Sequence, residues 1–130
     1  MYSPIHFALI GCGNIATEHA TQITRVGKLV AVVDINLHRA KIFGDQYGVP
    51  FFETASALYA AVQHLDIVVI ATPNGLHAAQ AIEAMQAGCH VLVEKPIALL
   101  GADVLQMQNV SKQTGKQIFS VMQNRFNPPV

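Results

Sequence analysis

Charge is scarce in this sequence. Of its 130 residues only 12% are charged, against about a quarter in an average soluble domain. Eight basic and eight acidic side chains cancel, and no basic cluster stands out. Binding to a nucleic-acid backbone requires such positive charge, so no nucleic-acid partner is expected. No apolar run approaches a membrane span, and Met1 to Ile5 is too short and polar for a signal peptide, so no membrane partner is expected either. Cysteine is limited to Cys12 and Cys89. They form neither a disulfide framework nor a metal-spaced set, and they read as small buried or half-buried thiols in a reducing compartment, with the cytoplasm as the expected location and no metal. There is no tryptophan, no low-complexity segment and no linker.

Apolar residues, by contrast, make up 52% of the chain. Such a sequence suits a parallel sheet covered on both faces, whose strands are apolar throughout. It also suits a surface meant to be covered by something else. The length is that of one domain with a sizeable core.

The opening stretch organises the rest. His6–Ile10 reads as a short buried strand and runs into Gly11-Cys12-Gly13-Asn14-Ile15-Ala16, which fits G-x-G-x-x-A. A second apolar strand, Leu29–Val33, ends at Asp34, about 20 positions after the turn, as in a dinucleotide-binding βαβ unit. Gly11 permits the tight turn, and Gly13 lets the backbone approach a pyrophosphate. Ala16 lets helix and strand pack closely. The helix's first amides, those around Asn14 and Ile15, then face the phosphates with the positive end of the dipole behind them. Asp34 accepts from ribose hydroxyls and repels a 2′-phosphate, which favours NAD over NADP. Without a ligand, the same pattern is a plain glycine turn.

Strands and helices alternate from there. The first helix spans Gly13–Val26 and stops at Gly27; His19 on it reads as a packed or rim residue. Asn36 caps a helix over Leu37–Tyr47, ended by Gly48. Arg39 either leans over an adenine face or is a solvated helix charge. Val49–Phe52 is a short strand, Thr54–Val62 a short helix, and Ile67–Ile70 a central β-branched strand. A helix follows over 77–86, then a strand His90–Val93, a helix from Leu100 to Thr114 and a strand Gln117–Met122. Six strands with helical crossovers predict an α/β, doubly wound parallel sheet, a Rossmann fold in three α/β/α layers with strand order 3-2-1-4-5-6.

Ligands of such sheets bind beyond the carboxyl ends of the strands. Thr72-Pro73-Asn74 follows strand four and reads as lining the diphosphate and nicotinamide ribose. His77 behind it either touches the cofactor or packs at the helix start. Glu94-Lys95-Pro96 follows strand five. Lys95 can donate to a ribose and a substrate hydroxyl together and favour an alkoxide-like oxygen as hydride leaves, while Glu94 holds Lys95 or a ribose. The bland alternative for that pair is a surface ion pair. Asn124 and Arg125 follow strand six. No general base is visible at this end of the chain.

Together, the Gly11–Ala16 turn, Ala71-Thr72-Pro73-Asn74 with His77, and Glu94-Lys95-Pro96 resemble the amino-terminal domain of the glucose–fructose oxidoreductase, inositol dehydrogenase and rhizopine-catabolism (Gfo/Idh/MocA) family. The resemblance covers essentially the whole chain. It implies an NAD-dependent dehydrogenase acting on a sugar, cyclitol or nucleotide sugar, with Lys95 touching cofactor and substrate and Glu94 supporting the nicotinamide side. Gln123-Asn124-Arg125-Phe126-Asn127-Pro128 is similar to a stretch in members acting on UDP-linked N-acetylated uronic acids, which places Arg125 near the nicotinamide amide or an acidic substrate group. The same resemblance makes residues 1–122 the dinucleotide-binding domain and 123–130 the start of a crossover. Beyond it lies a second domain that supplies the substrate pocket, the proton-transfer pair and the interface of a homo-oligomer. The chain alone is then expected to bind cofactor but not to turn over.

Other readings of the residues stay open. A stand-alone NAD-binding regulatory or sensor module would keep Gly11, Gly13 and Asp34 but has no use for Glu94-Lys95. A family member that never releases its cofactor would differ only in binding kinetics. A methyltransferase-like fold also grips a ribose with an acid after strand two, and a purely structural protein would not gather polar residues at the strand ends.

Overall fold

The computed structural model describes residues 4–13, 15–72, 76–94 and 101–121. Its elements alternate without exception: β1 (His6–Ile10), α1 (Ala16–Val26), β2 (Lys28–Val33), α2 (Leu37–Tyr47), β3 (Phe51–Phe52), α3 (Ala55–Ala61), β4 (Ile67–Ile70), α4 (His77–Gln86), β5 (His90–Glu94), α5 (Gly101–Thr114) and β6 (Ile118–Val121). The strands form one parallel sheet in the order β3-β2-β1-β4-β5-β6. This is the expected Rossmann order, and it reverses between β1 and β4.

Alternation along β1 explains the layering. Ala8 and Ile10 pack to one side with Leu58, Met85 and Met107 of α3, α4 and α5. Phe7 and Leu9 pack to the other with Ala16, Ala20 and Ile23 of α1 and Phe43 of α2. Because each strand must bury both faces, Val68, Val69 and Ile70 of central β4 are at most 1% exposed, as a near-continuous apolar run requires.

Local chemistry sets the boundaries. The Asn36 side chain accepts from Arg39 N–H at 3.1 Å and opens α2, while Gly48 closes it in the left-handed conformation. Thr54 caps α3 in the same way, accepting from Ala57 N–H at 3.1 Å. Thr54 itself therefore stands outside the helix expected to include it, and Val62 has left it at the other end. Helix α1 starts at Ala16, later than expected, because Gly11 to Gly13 are spent on the turn. Strand β3 is two residues long where four were expected: Val49 N–H is taken by Gly44 O at 2.9 Å, and only Pro50 O, through Val32 N–H, precedes the paired residues. Strand β5 runs one residue further than expected, pairing Glu94 with Val121.

Candidate cofactor site

The turn after β1 is built by two constraints on Gly11. Its φ is +100°, and a Cβ there would lie 2.8 Å from Ala71 O. Any side chain would be strained and would collide with the neighbouring strand end. Gly13 differs. A Cβ on it would meet nothing within 4 Å, so the space above this backbone is open. Ile15 stands at the start of α1 and supplies no side-chain cap. Ala16 N–H donates to Gly13 O at 3.0 Å, and with no side-chain cap the positive end of the α1 dipole faces the turn, where it favours an anion.

Asp34 ties the turn to β2. One carboxylate oxygen accepts from Cys12 N–H and the other from Asn36 N–H, each at 2.8 Å. Arg39 Nη1 lies 3.6 Å from Asp34 Oδ2; Asp34 is 8% exposed and Arg39 53%. An ionised carboxylate has about four acceptor positions, so two remain for hydroxyls of a ribose. Cys12 has no nucleophilic part. Its thiol donates to Val33 O at 3.6 Å, and burial followed by the nearby Asp34 charge pushes its pKa up to about 12.

A cavity of about 730 Å³ opens over these groups, within the size range of small-molecule sites. Gly11, Gly13, Asp34 and Arg39 line it from one side and Thr72 from the other. The Thr72 hydroxyl donates to the Gln80 side-chain oxygen. His77 is fully buried and outside that lining. Its Nε2 is 2.6 Å from Thr72 O, and because a carbonyl only accepts, Nε2 carries the hydrogen. His77 holds the end of β4 from behind.

Asn14, Pro73, Asn74, Lys95, Asn124 and Arg125 lie outside the described residues, as does the side chain of Glu94. The cavity also brings in residues that sequence reasoning passed over: Ile35, Glu53, Thr54, Leu76 and Gln80. Two had a readable signal. Glu53 directly follows β3, and Ile35 directly follows Asp34, so both stand at strand ends on the ligand edge. Ile35 is 78% exposed and Leu76 44%, and such apolar side chains suit the face of a purine. The open space over Gly13, the uncapped α1 and the spare acceptors of Asp34 fit a dinucleotide.

The family described as "Oxidoreductase family, NAD-binding Rossmann fold" (Gfo/Idh/MocA) matches residues 5–122. The chain belongs to this family. A curated relative, the D-glucoside 3-dehydrogenase of Escherichia coli, is 34% identical over 128 residues, covering 95% of this chain and 36% of the relative. The UDP-N-acetylglucosamine 3-dehydrogenase of Acidithiobacillus ferrooxidans is 38% identical over 91 residues, 70% of this chain and 28% of the relative. Among solved structures, the WlbA dehydrogenase of Bordetella pertussis in complex with NADH and UDP-GlcNAcA superposes with a TM-score of 0.90 at 36% identity, over 98% of this chain and 39% of that one. This Gfo/Idh/MocA chain thus spans only 28–39% of the length of these relatives. The family is described as NAD-binding, and among the described residues no helix is long and apolar enough to cross a membrane.

Proposed function

We propose that this chain is the cofactor half of a dehydrogenase that passes a hydride between NAD and a hydroxyl-bearing carbon of a sugar, cyclitol or nucleotide sugar, with a UDP-linked N-acetylated uronic acid as a candidate substrate. The observation that carries the proposal is the cavity at the strand ends in a chain of this family, with Gly13 open beneath it and Asp34 at its side. The nicotinamide of bound NAD accepts or returns the hydride. The chain's own residues do the rest. Backbone at Gly11, Cys12, Gly13, Asn14 and Ile15 cradles the diphosphate, and Asp34 takes the adenosine ribose. Thr72, braced by His77, lines the nicotinamide side, together with Pro73, Asn74, Glu94, Asn124 and Arg125. Lys95 puts a positive charge beside the reacting oxygen and orients it.

In this reading residues 1–122 form the dinucleotide-binding domain and 123–130 lead toward a second domain that supplies substrate pocket, general base and homo-oligomer contacts. The chain alone binds NAD without turnover. Two unpaired thiols, Cys12 and Cys89, support a cytoplasmic setting.

The test is NADH formation by the full-length protein across a panel of UDP-sugars, free sugars and cyclitols, beside Lys95→Ala. Turnover is expected with one such class, and the variant should lose about 10²-fold or more in kcat, the scale seen when one charge-stabilising group is removed from a developing oxyanion. Turnover indifferent to Lys95, or none with any of these classes, contradicts the proposal.

A further inference from the structure

Asp34 alone does not secure a preference for NAD, because its charge is already spoken for. Its two oxygens accept from Cys12 and Asn36 amides, and Arg39 sits 3.6 Å away. Asp34 and Arg39 sum to zero, and a guanidinium at this rim is itself a good partner for a phosphate. The pair by itself would leave a 2′-phosphate tolerated.

Glu53 changes the balance. β2 and β3 run parallel with Val33 opposite Phe52, and Asp34 N–H donates to Phe52 O at 3.1 Å. The residue that follows β3, Glu53, therefore leaves the sheet beside Asp34, at the spacing of neighbouring strands, about 4.8 Å. Glu53 and Asp34 line the same cavity. Among the described residues Glu53 makes no ion pair. Glu83 also lines the cavity, its carboxylate accepting from the Ser56 hydroxyl at 3.2 Å, but it is Glu53 that stands beside Asp34 in the sheet register.

We propose that Glu53 is a second cofactor-specificity residue, a negative charge beside the Asp34–Arg39 pair that rejects a 2′-phosphate and keeps the site for NAD. The inference rests on the NAD-binding reading of this cavity. Glu53 is exposed, so its effect is a screened, through-space repulsion that fades with added salt.

The test is calorimetric titration of the chain with NAD and with NADP, at low and high ionic strength, for the unaltered protein, Glu53→Gln, Glu53→Lys and Glu53→Asp. Glu53→Gln is expected to raise the NADP-to-NAD affinity ratio about fivefold at low salt, Glu53→Lys further, and Glu53→Asp hardly at all. The gains shrink toward nothing in molar salt. Thermal melts report whether each variant is folded, and an exposed site predicts that all are. An unchanged ratio in both Glu53→Gln and Glu53→Lys, or NAD and NADP shifting together, overturns the role of Glu53 while leaving the site standing. Failure of the unaltered chain to bind either nucleotide overturns the proposed function and this inference with it.

Discussion

At the scale of single residues, the turn after β1 tolerates little. Gly11→Ala meets both a positive φ and Ala71 O at 2.8 Å, so it is expected to destabilise the chain by about 2 kcal/mol or more. Urea unfolding measures this, and a loss within error would show that the turn can relax. Tyr59 is the opposite case. Its hydroxyl is buried with no hydrogen-bond partner among the described residues, and desolvation raises its pKa, with Cys89 and Glu83 adding to the effect. Tyr59→Phe should therefore cost nothing or add up to about 1 kcal/mol. A clear loss of stability would reveal an acceptor for that hydroxyl.

The thiols give a pH dependence. Burial is the first cause of both shifts, pushing Cys12 from 9.0 up to about 12 and Cys89 up to about 11. A raised thiol pKa means that the fold favours the neutral form. The associated stability is full below pH 9, where the unfolded thiols are protonated, and is lost as pH rises toward 11 and 12. Urea midpoints should fall steeply above about pH 9, and Cys12→Ala should flatten part of that fall. Both thiols should resist alkylation at about pH 8 until the chain unfolds.

At the scale of elements, the caps are legible because their chemistry is local. Asn36 and Thr54 each accept an amide hydrogen three residues on, and those helices start at the next residue. Thr54→Ala should cost about 1 kcal/mol by thermal or urea unfolding, and a neutral result would mean that α3 is held by Leu58 packing alone. Period and turn residues also marked β1, β4 and α4 from the sequence. Strand β3 was less legible. Val49 and Pro50 are spent on leaving α2, an outcome set by the neighbouring element rather than by their own apolar character. The cavity rim shows the same limit. Asp34 follows a recognised motif, whereas Glu53 joins the site only through the β2–β3 register. His77 stands next to a strand-end loop in sequence, but packing turns it inward, where it is fully buried.

At the scale of the whole molecule, the described residues cover the sheet unequally. Leu92 and Phe119 pair across β5 and β6 and point to the face that α1 and α2 cover further along; Phe119, on edge strand β6, is 42% exposed. An apolar edge of this kind favours association. Phe119→Ser should lower concentration-dependent self-association of the chain in sedimentation without lowering its melting temperature. Strand order could be read in advance because alternating strands and helices admit few topologies. The excess of apolar residues also pointed to a surface left open, but not to its place at β6, since that depends on which helices fall on which face.

The central claim is that the open space above Gly13 receives the diphosphate of NAD. Gly13 is outside the positive-φ region and an added Cβ meets nothing within 4 Å, so a side chain there obstructs a ligand and not the fold. Calorimetric titration of NAD into the chain and into Gly13→Val tests this directly. The predicted result is binding by the unaltered chain, an unchanged melting temperature in the variant, and affinity for NAD reduced about tenfold or more, the loss expected when backbone can no longer approach the pyrophosphate. Equal affinity in the two proteins would contradict it.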